Sequence, residues 1–234
     1  MYKTRRIPSV FRWTGPGRFI VFMLAATSIW CLLVEFYGLC SMRGFTFWVL
    51  TPATMALIVL AVMDRLKGDG LLWRGVVIGA VAGFVAAVAY DVFRLPFVFS
   101  REWHLTSIVP PMELFKVFPR FGAMILGQPV EQGSYSLAAH LIGWVYHFSN
   151  GITFGVMYTA MIGDGRRRSW WWAVLMAVVL ELAMLFTPYT RFFSIPATGL
   201  FAAVTLTAHI VFGIGMGLVT KWLSQRWPTV GTAT

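Results

Sequence analysis

The chain has 234 residues, of which 58% are hydrophobic and only 12% charged, and its mean hydropathy is +0.73. A water-soluble domain carries about 25% charged residues; half that density excludes a globule with an ordinary polar shell and points to a bilayer as solvent. A net charge of +10 would suggest nucleic acid on a soluble protein. Here the basic residues are segregated by loop, which is an orientation signal, and zinc-finger spacings, phosphate-binding glycine loops and RNP-like motifs are absent, so no nucleic-acid partner is expected.

In chain order, a basic N-terminus precedes an apolar run over residues 19–40. That run exceeds the roughly 7–15 residues of a signal-peptide core and lacks a small-residue cleavage site, so a retained first helix is expected. It carries Glu35 near its far end, and Cys31 and Cys40. Nine helical residues separate the two thiols by ~13.5 Å, too far for a disulfide in one straight helix. The second span, 47–63, is short, with Thr51 and Pro52 reading as an N-cap and first-turn proline. The third, 71–93, repeats Gly75, Gly79 and Gly83 at every fourth position and ends near Asp91.

A long outer segment, 94–136, follows. Phe115, Phe118, Phe121 and Ile125 fall near helical spacing around Pro119, which predicts a short interfacial or re-entrant helix able to cap a cavity. Three further spans are expected at 137–162, 170–189 and 198–223. The spacing of Gly151 with Gly155, and of Gly213 with Gly217, lets backbones approach closely and favours packing within the bundle over dimerisation.

The basic residues vote on orientation. One side collects Lys3, Arg5, Arg6, Arg12 and Arg18, then Arg65, Lys67 and Arg74, then Arg166, Arg167 and Arg168, then Lys221 and Arg226; the other holds Arg43, Arg94, Arg101, Lys116, Arg120 and Arg191. The positive-inside rule then places both termini in the cytoplasm. The expected fold is all-α: a single polytopic domain over 1–234, a bundle of six transmembrane helices in an inner (plasma) membrane.

Ionisable side chains inside such spans are rare and mark functional sites or partners. A rise of ~1.5 Å per residue brings His147, Glu181 and His209 to one depth near mid-membrane, with Asn150 one turn from His147. His140, Asp91 and Glu35 lie nearer the outer mouth and would line an access path. Imidazole and carboxylate donors on several helices suit zinc or iron, and two histidines at one depth could instead ligate a haem. His147, His209 and Glu181 are therefore the candidate metal ligands, the two histidines the candidate cofactor ligands, and Glu181 with Asn150 the candidate catalytic pair. Which group is bound remains open, as does whether the chain is an enzyme. The first expectation is a metal- or haem-binding protein acting on, or exchanging electrons with, a lipid-soluble partner. A small proton- or cation-coupled transporter or channel is the alternative, and an accessory membrane subunit the third. Membrane lipid is the expected partner, with other membrane subunits or a second copy as further candidates. Asp91 also has a local ion-pair partner at Arg94.

Overall fold

The computed structural model describes residues 13–195 and 198–227. Among them every regular element is a helix, with no strand. Eight helices follow in order: α1 Gly15–Phe36, α2 Met42–Lys67, α3 Leu71–Val98, α4 Val117–Leu126, α5 Leu137–Ile162, α6 Trp171–Leu185, the single turn α7 Tyr189–Phe192, and α8 Gly199–Arg226. Four of them, α1, α2, α3 and α8, are long and apolar enough to cross a bilayer. Helix α5 has the length, 26 residues, but His140, His147, Ser149 and Asn150 dilute its hydropathy. Helix α6 has 15 residues, or ~22 Å of rise, less than the ~30 Å of a hydrocarbon core. The basic N-terminal residues Lys3, Arg5, Arg6 and Arg12 lie outside the described residues.

Helix α2 differs from its expected form. It starts at Met42, where the Ser41 hydroxyl accepts from the Gly44 N–H at 3.1 Å, so Thr51 is not an N-cap, while Pro52 does stand in the first turn of the regular α-helical stretch Thr51–Lys67. The turns over Thr46–Leu50 widen to π geometry, and Thr51 N–H donates to the Thr46 carbonyl five residues back. A proline lacks the N–H for the usual bond and crowds the preceding turn; a widened turn just before Pro52 absorbs both defects.

The core is built on glycine seams. A Cβ added at Gly83 would sit 2.0 Å from the Gly151 carbonyl oxygen, and one at Gly155 would sit 2.0 Å from that of Gly79. Helices α3 and α5 therefore touch backbone to backbone, and Thr159 on α5 donates to the Gly75 carbonyl at 2.9 Å. Helices α6 and α8 meet the same way, with Gly217 against the Trp170 carbonyl. Helix α1 packs on α5 through the Tyr146 hydroxyl, which donates to the Ser28 carbonyl at 2.7 Å.

The segment 94–136 folds back into the bundle. Helix α4 carries Pro119 in its first turn, where a missing N–H costs nothing, and it buries Phe118, Phe121 and Met124. It lies so close to α5 that a Cβ at Gly122 would be 1.8 Å from the Ala139 carbonyl oxygen, and one at Gly143 would be 1.8 Å from that of Phe118. Helix α3 also runs past its expected end at residue 93, through Pro96 to Val98. Arg94 is thereby a helical residue facing inward, 5% exposed, instead of a solvated loop cation.

Candidate functional site

Helices α3, α5, α6 and α8, roofed by α4 and the 189–195 segment, enclose a cavity of about 530 Å³. Its walls are mostly aromatic and aliphatic, interrupted by Tyr90, Arg94, His147, Asn150, Glu181 and His209. Cavities of this size, largely apolar with a few placed polar groups, take small ligands.

Two imidazole–carboxylate pairs stand at this space: His147, His209 and Glu181 line it, and Asp91 backs His147. His147 Nε2 on α5 lies 2.8 Å from Asp91 Oδ2 on α3. Asp91 is also paired with Arg94 Nη1 at 3.4 Å; a carboxylate oxygen accepts, so His147 Nε2 is the donor in this contact. The second pair joins His209 on α8 to Glu181 on α6, with Nδ1 to Oε2 at 3.4 Å. His209 Nδ1 also lies 2.9 Å from the Thr205 carbonyl oxygen. A carbonyl only accepts, so Nδ1 is the protonated nitrogen, and Nε2 is free to take a proton or accept a bond.

Tyr90 joins the pairs. Its ring centroid is 5.0 Å from that of His209 and 6.1 Å from that of His147. The Arg94 guanidinium lies over Tyr90 at 4.7 Å and over Phe115 at 5.0 Å, and its Nη2 donates to the Leu114 carbonyl. Stacking on aromatic faces and pairing with Asp91 make burial of this charge tolerable. The His147 ring stacks on Phe118 of α4 at 4.2 Å, so the 94–136 segment supports the site directly. Asn150, one turn beyond His147, is buried, lines the cavity, and leaves its Oδ1 without a hydrogen-bond partner.

The sequence-derived candidates are thus partly regrouped. His147, His209, Glu181 and Asn150 line one cavity. The expected convergence of His147, His209 and Glu181 on one point is replaced by two separate pairs. Among the described residues, no three of His, Cys, Asp and Glu come together to hold a metal ion. The reason is rotational: His147 turns its Nε2 toward α3, where Asp91 meets it, while Glu181 meets α8. A porphyrin between the two imidazoles would have to displace the Tyr90 ring that rests against both. The donor set therefore suits neither zinc or iron nor haem.

Asp91 does not itself line the cavity but holds His147, which does. Glu35 accepts from the Met42 N–H at the α1–α2 turn, and His140 is exposed beside Tyr135, with ring centroids 6.3 Å apart; neither lines the cavity. The sequence reading placed Arg94 in the outer loop and gave Tyr90 no role. Their usable signal was the i, i+3 spacing of Asp91 and Arg94, which only a helix continuing beyond residue 93 brings inward.

At the opposite end of the bundle, Asp164 receives bonds from Arg166 N at 3.0 Å, Nε at 3.1 Å and Nη2 at 3.0 Å. These bonds hold the Asp164 carboxyl below the usual carboxylate range. The cluster orders the loop between α5 and α6 and lies outside the cavity. No protein-family model matches the chain, and no curated protein and no solved structure is significantly similar to it.

Proposed function

We propose that the chain is a six-span inner-membrane protein, with both termini cytoplasmic, whose intramembrane cavity binds a lipid-soluble partner and exchanges protons with it. The observation that carries this reading is the pair of imidazole–carboxylate contacts, His147–Asp91 and His209–Glu181, standing at one largely apolar cavity. Ionisable groups at membrane depth are costly and are kept for ligands and proton paths. A carboxylate behind an imidazole sets its tautomer and stabilises the protonated ring, which is the arrangement a proton-exchanging site needs. The glycine seams of α3 with α5 and of α6 with α8 hold the partners of each pair on rigid elements.

The test is what accompanies the protein. The full chain, purified in mild detergent and extracted with organic solvent, should yield a bound lipid-soluble species by mass spectrometry. His147→Ala and His209→Ala should each lose it. Full retention in both variants, or stoichiometric metal or a Soret band in the wild type, would overturn the reading.

A second reading is proton- or cation-coupled transport through the same cavity. It is favoured by the charged residues at the mouth, where Glu113 and Lys116 form an ion pair and Arg120 pairs with Glu131 at 3.1 Å. Proteoliposomes under an imposed pH gradient would distinguish it: flux that stops in Glu181→Gln supports transport, and no flux leaves a binding site.

A further inference from the structure

We propose that Arg18, Arg74 and Arg166 form a binding site for the phosphate of an anionic lipid headgroup, at the loop that joins α5 to α6. The site stands apart from the cavity and does not depend on what the cavity binds.

Four elements assemble it. Arg18 on α1 packs against Gly163, where an added Cβ would run into its Nη1, and Gly163 holds a φ of +75° that suits glycine alone. On the other side of the loop, Gly165 lies against Ser224 of α8, and the Ser224 carbonyl accepts from Arg74 Nη2 of α3 at 2.7 Å. Arg166 belongs to the loop itself, and the charged neighbours of Arg74 are Arg166 and Asp164. Three guanidiniums from distant parts of the chain thus border one short loop.

The nearby acids leave them unmatched. Every Asp and Glu of the chain lies among the described residues, and none of them forms an ion pair with Arg18 or Arg74. Asp164 is shared between Arg166 Nη2 at 3.0 Å and Arg167 Nε at 3.6 Å. Asp64 and Asp69, the other acids of this end, accept from the Trp73 and Leu71 N–H groups at the start of α3. Arg18 Nε is buried without a hydrogen-bond partner, and the partner of Arg74 is a neutral carbonyl. Arg18, Arg74, Arg166 and Arg167 therefore share one carboxylate. Like charges held together by packing repel, the more so where water is partly excluded. Phosphate oxygens relieve them well, because they match the guanidinium fork in bidentate pairs.

The loop also stands at headgroup depth. Trp170, Trp171 and Trp172 follow it and are exposed, and Trp13 Nε1 donates to the Gly163 carbonyl at 3.3 Å. Indole rings prefer the headgroup layer, and basic pockets between helices at that level hold anionic headgroups. An orientation signal alone accounts for the sign of this end but not for the convergence, since an exposed cation such as Arg226 serves it equally well.

The full chain in detergent is titrated with phosphatidylglycerol, with phosphatidylcholine of the same acyl chains, and with inorganic phosphate, and bound molecules are counted by native mass spectrometry. The expected result is a single saturable phosphatidylglycerol, bound roughly tenfold more tightly than phosphatidylcholine. Arg18→Gln and Arg74→Gln should each weaken it by roughly tenfold. Arg226→Gln removes the same charge from the same end, at an exposed position, and should change the affinity by less than about twofold. If a glutamine variant does not fold, the lysine variant at that position keeps the charge, loses the fork, and should still weaken binding by about threefold. Inorganic phosphate that binds and displaces the lipid keeps the phosphate site and overturns the lipid as its source. Equal affinity for the two lipids without phosphate binding, or an equal loss in Arg226→Gln, overturns the site.

Discussion

Replacing Gly155 with alanine tests whether backbone contact between α3 and α5 is what assembles the site. The added Cβ would lie 2.0 Å from the Gly79 carbonyl oxygen and 2.7 Å from the Gly83 nitrogen, and ordinary contact begins at 3.4 Å, so rigid helices must part by roughly 1.4 Å (3.4 minus 2.0). His147 lies eight residues along the same helix, ~12 Å away. Its 2.8 Å bond to Asp91 spans the same interface, and a parting of that size takes it beyond hydrogen-bonding range. Overpacking costs about 1–3 kcal/mol, and the loss of a bond to a charged group about 1.5–3 kcal/mol. Partial relief by helix tilting brings the expected total to about 2–5 kcal/mol. At ~2–4 °C per kcal/mol for a chain of this size, Tm should fall by roughly 5–15 °C. Tryptophan fluorescence during heating in detergent provides the assay. Gly15→Ala, where nothing lies within 4 Å, is the control and should melt like wild type. A Gly155→Ala protein that melts within about two degrees of wild type would refute the seam as the organising contact.

Asp91→Asn leaves the buried Arg94 guanidinium unpaired and should destabilise by about 3–5 kcal/mol. The double variant Asp91→Asn/Arg94→Gln should recover much of that, and the reasoning fails if the double variant is no more stable than the single one. Cys31 is buried and Cys40 exposed, so a membrane-impermeant maleimide should label right-side-out membranes at Cys40 only. Labelling that persists in Cys40→Ser, or occurs only in inverted membranes, contradicts the burial or the proposed orientation. Asp164 has a depressed folded pKa because Arg166 donates to it. Its contribution is therefore present above the unfolded value of about 3.9 and lost as pH falls through the lower folded value. Both side chains are about a third exposed, at 34% and 38%, so solvent screening keeps the effect below about 1 kcal/mol. The Tm gap between wild type and Asp164→Asn should be small at pH 6 and close as the pH drops below about 4; a gap that widens in acid would disprove the assignment.

Much of the architecture was legible because its signals are local. Apolar runs of sufficient length report spanning helices through hydropathy alone, and the expected segments 19–40, 71–93 and 198–223 correspond to long apolar helices. Glycines at every fourth position report close approach without naming a partner, and the structure supplies it by setting Gly79 and Gly83 against Gly155 and Gly151. Boundaries failed where a helix ran past its expected end: α2 begins at Met42, with π turns ahead of Pro52, and α3 continues through Pro96 to Val98.

Depth was also local. A constant rise per residue put His147, Glu181 and His209 at one level, and all three line one cavity. Which groups meet was decided by tertiary packing, because the direction a side chain faces depends on how each helix is rotated against its neighbours. The α3–α5 seam turns His147 to Asp91, the α6–α8 seam turns His209 to Glu181, and the folded-back α4 roofs both pairs. Height along a helix follows from counting residues; the partner across the gap follows from the shapes of two surfaces far apart in the chain.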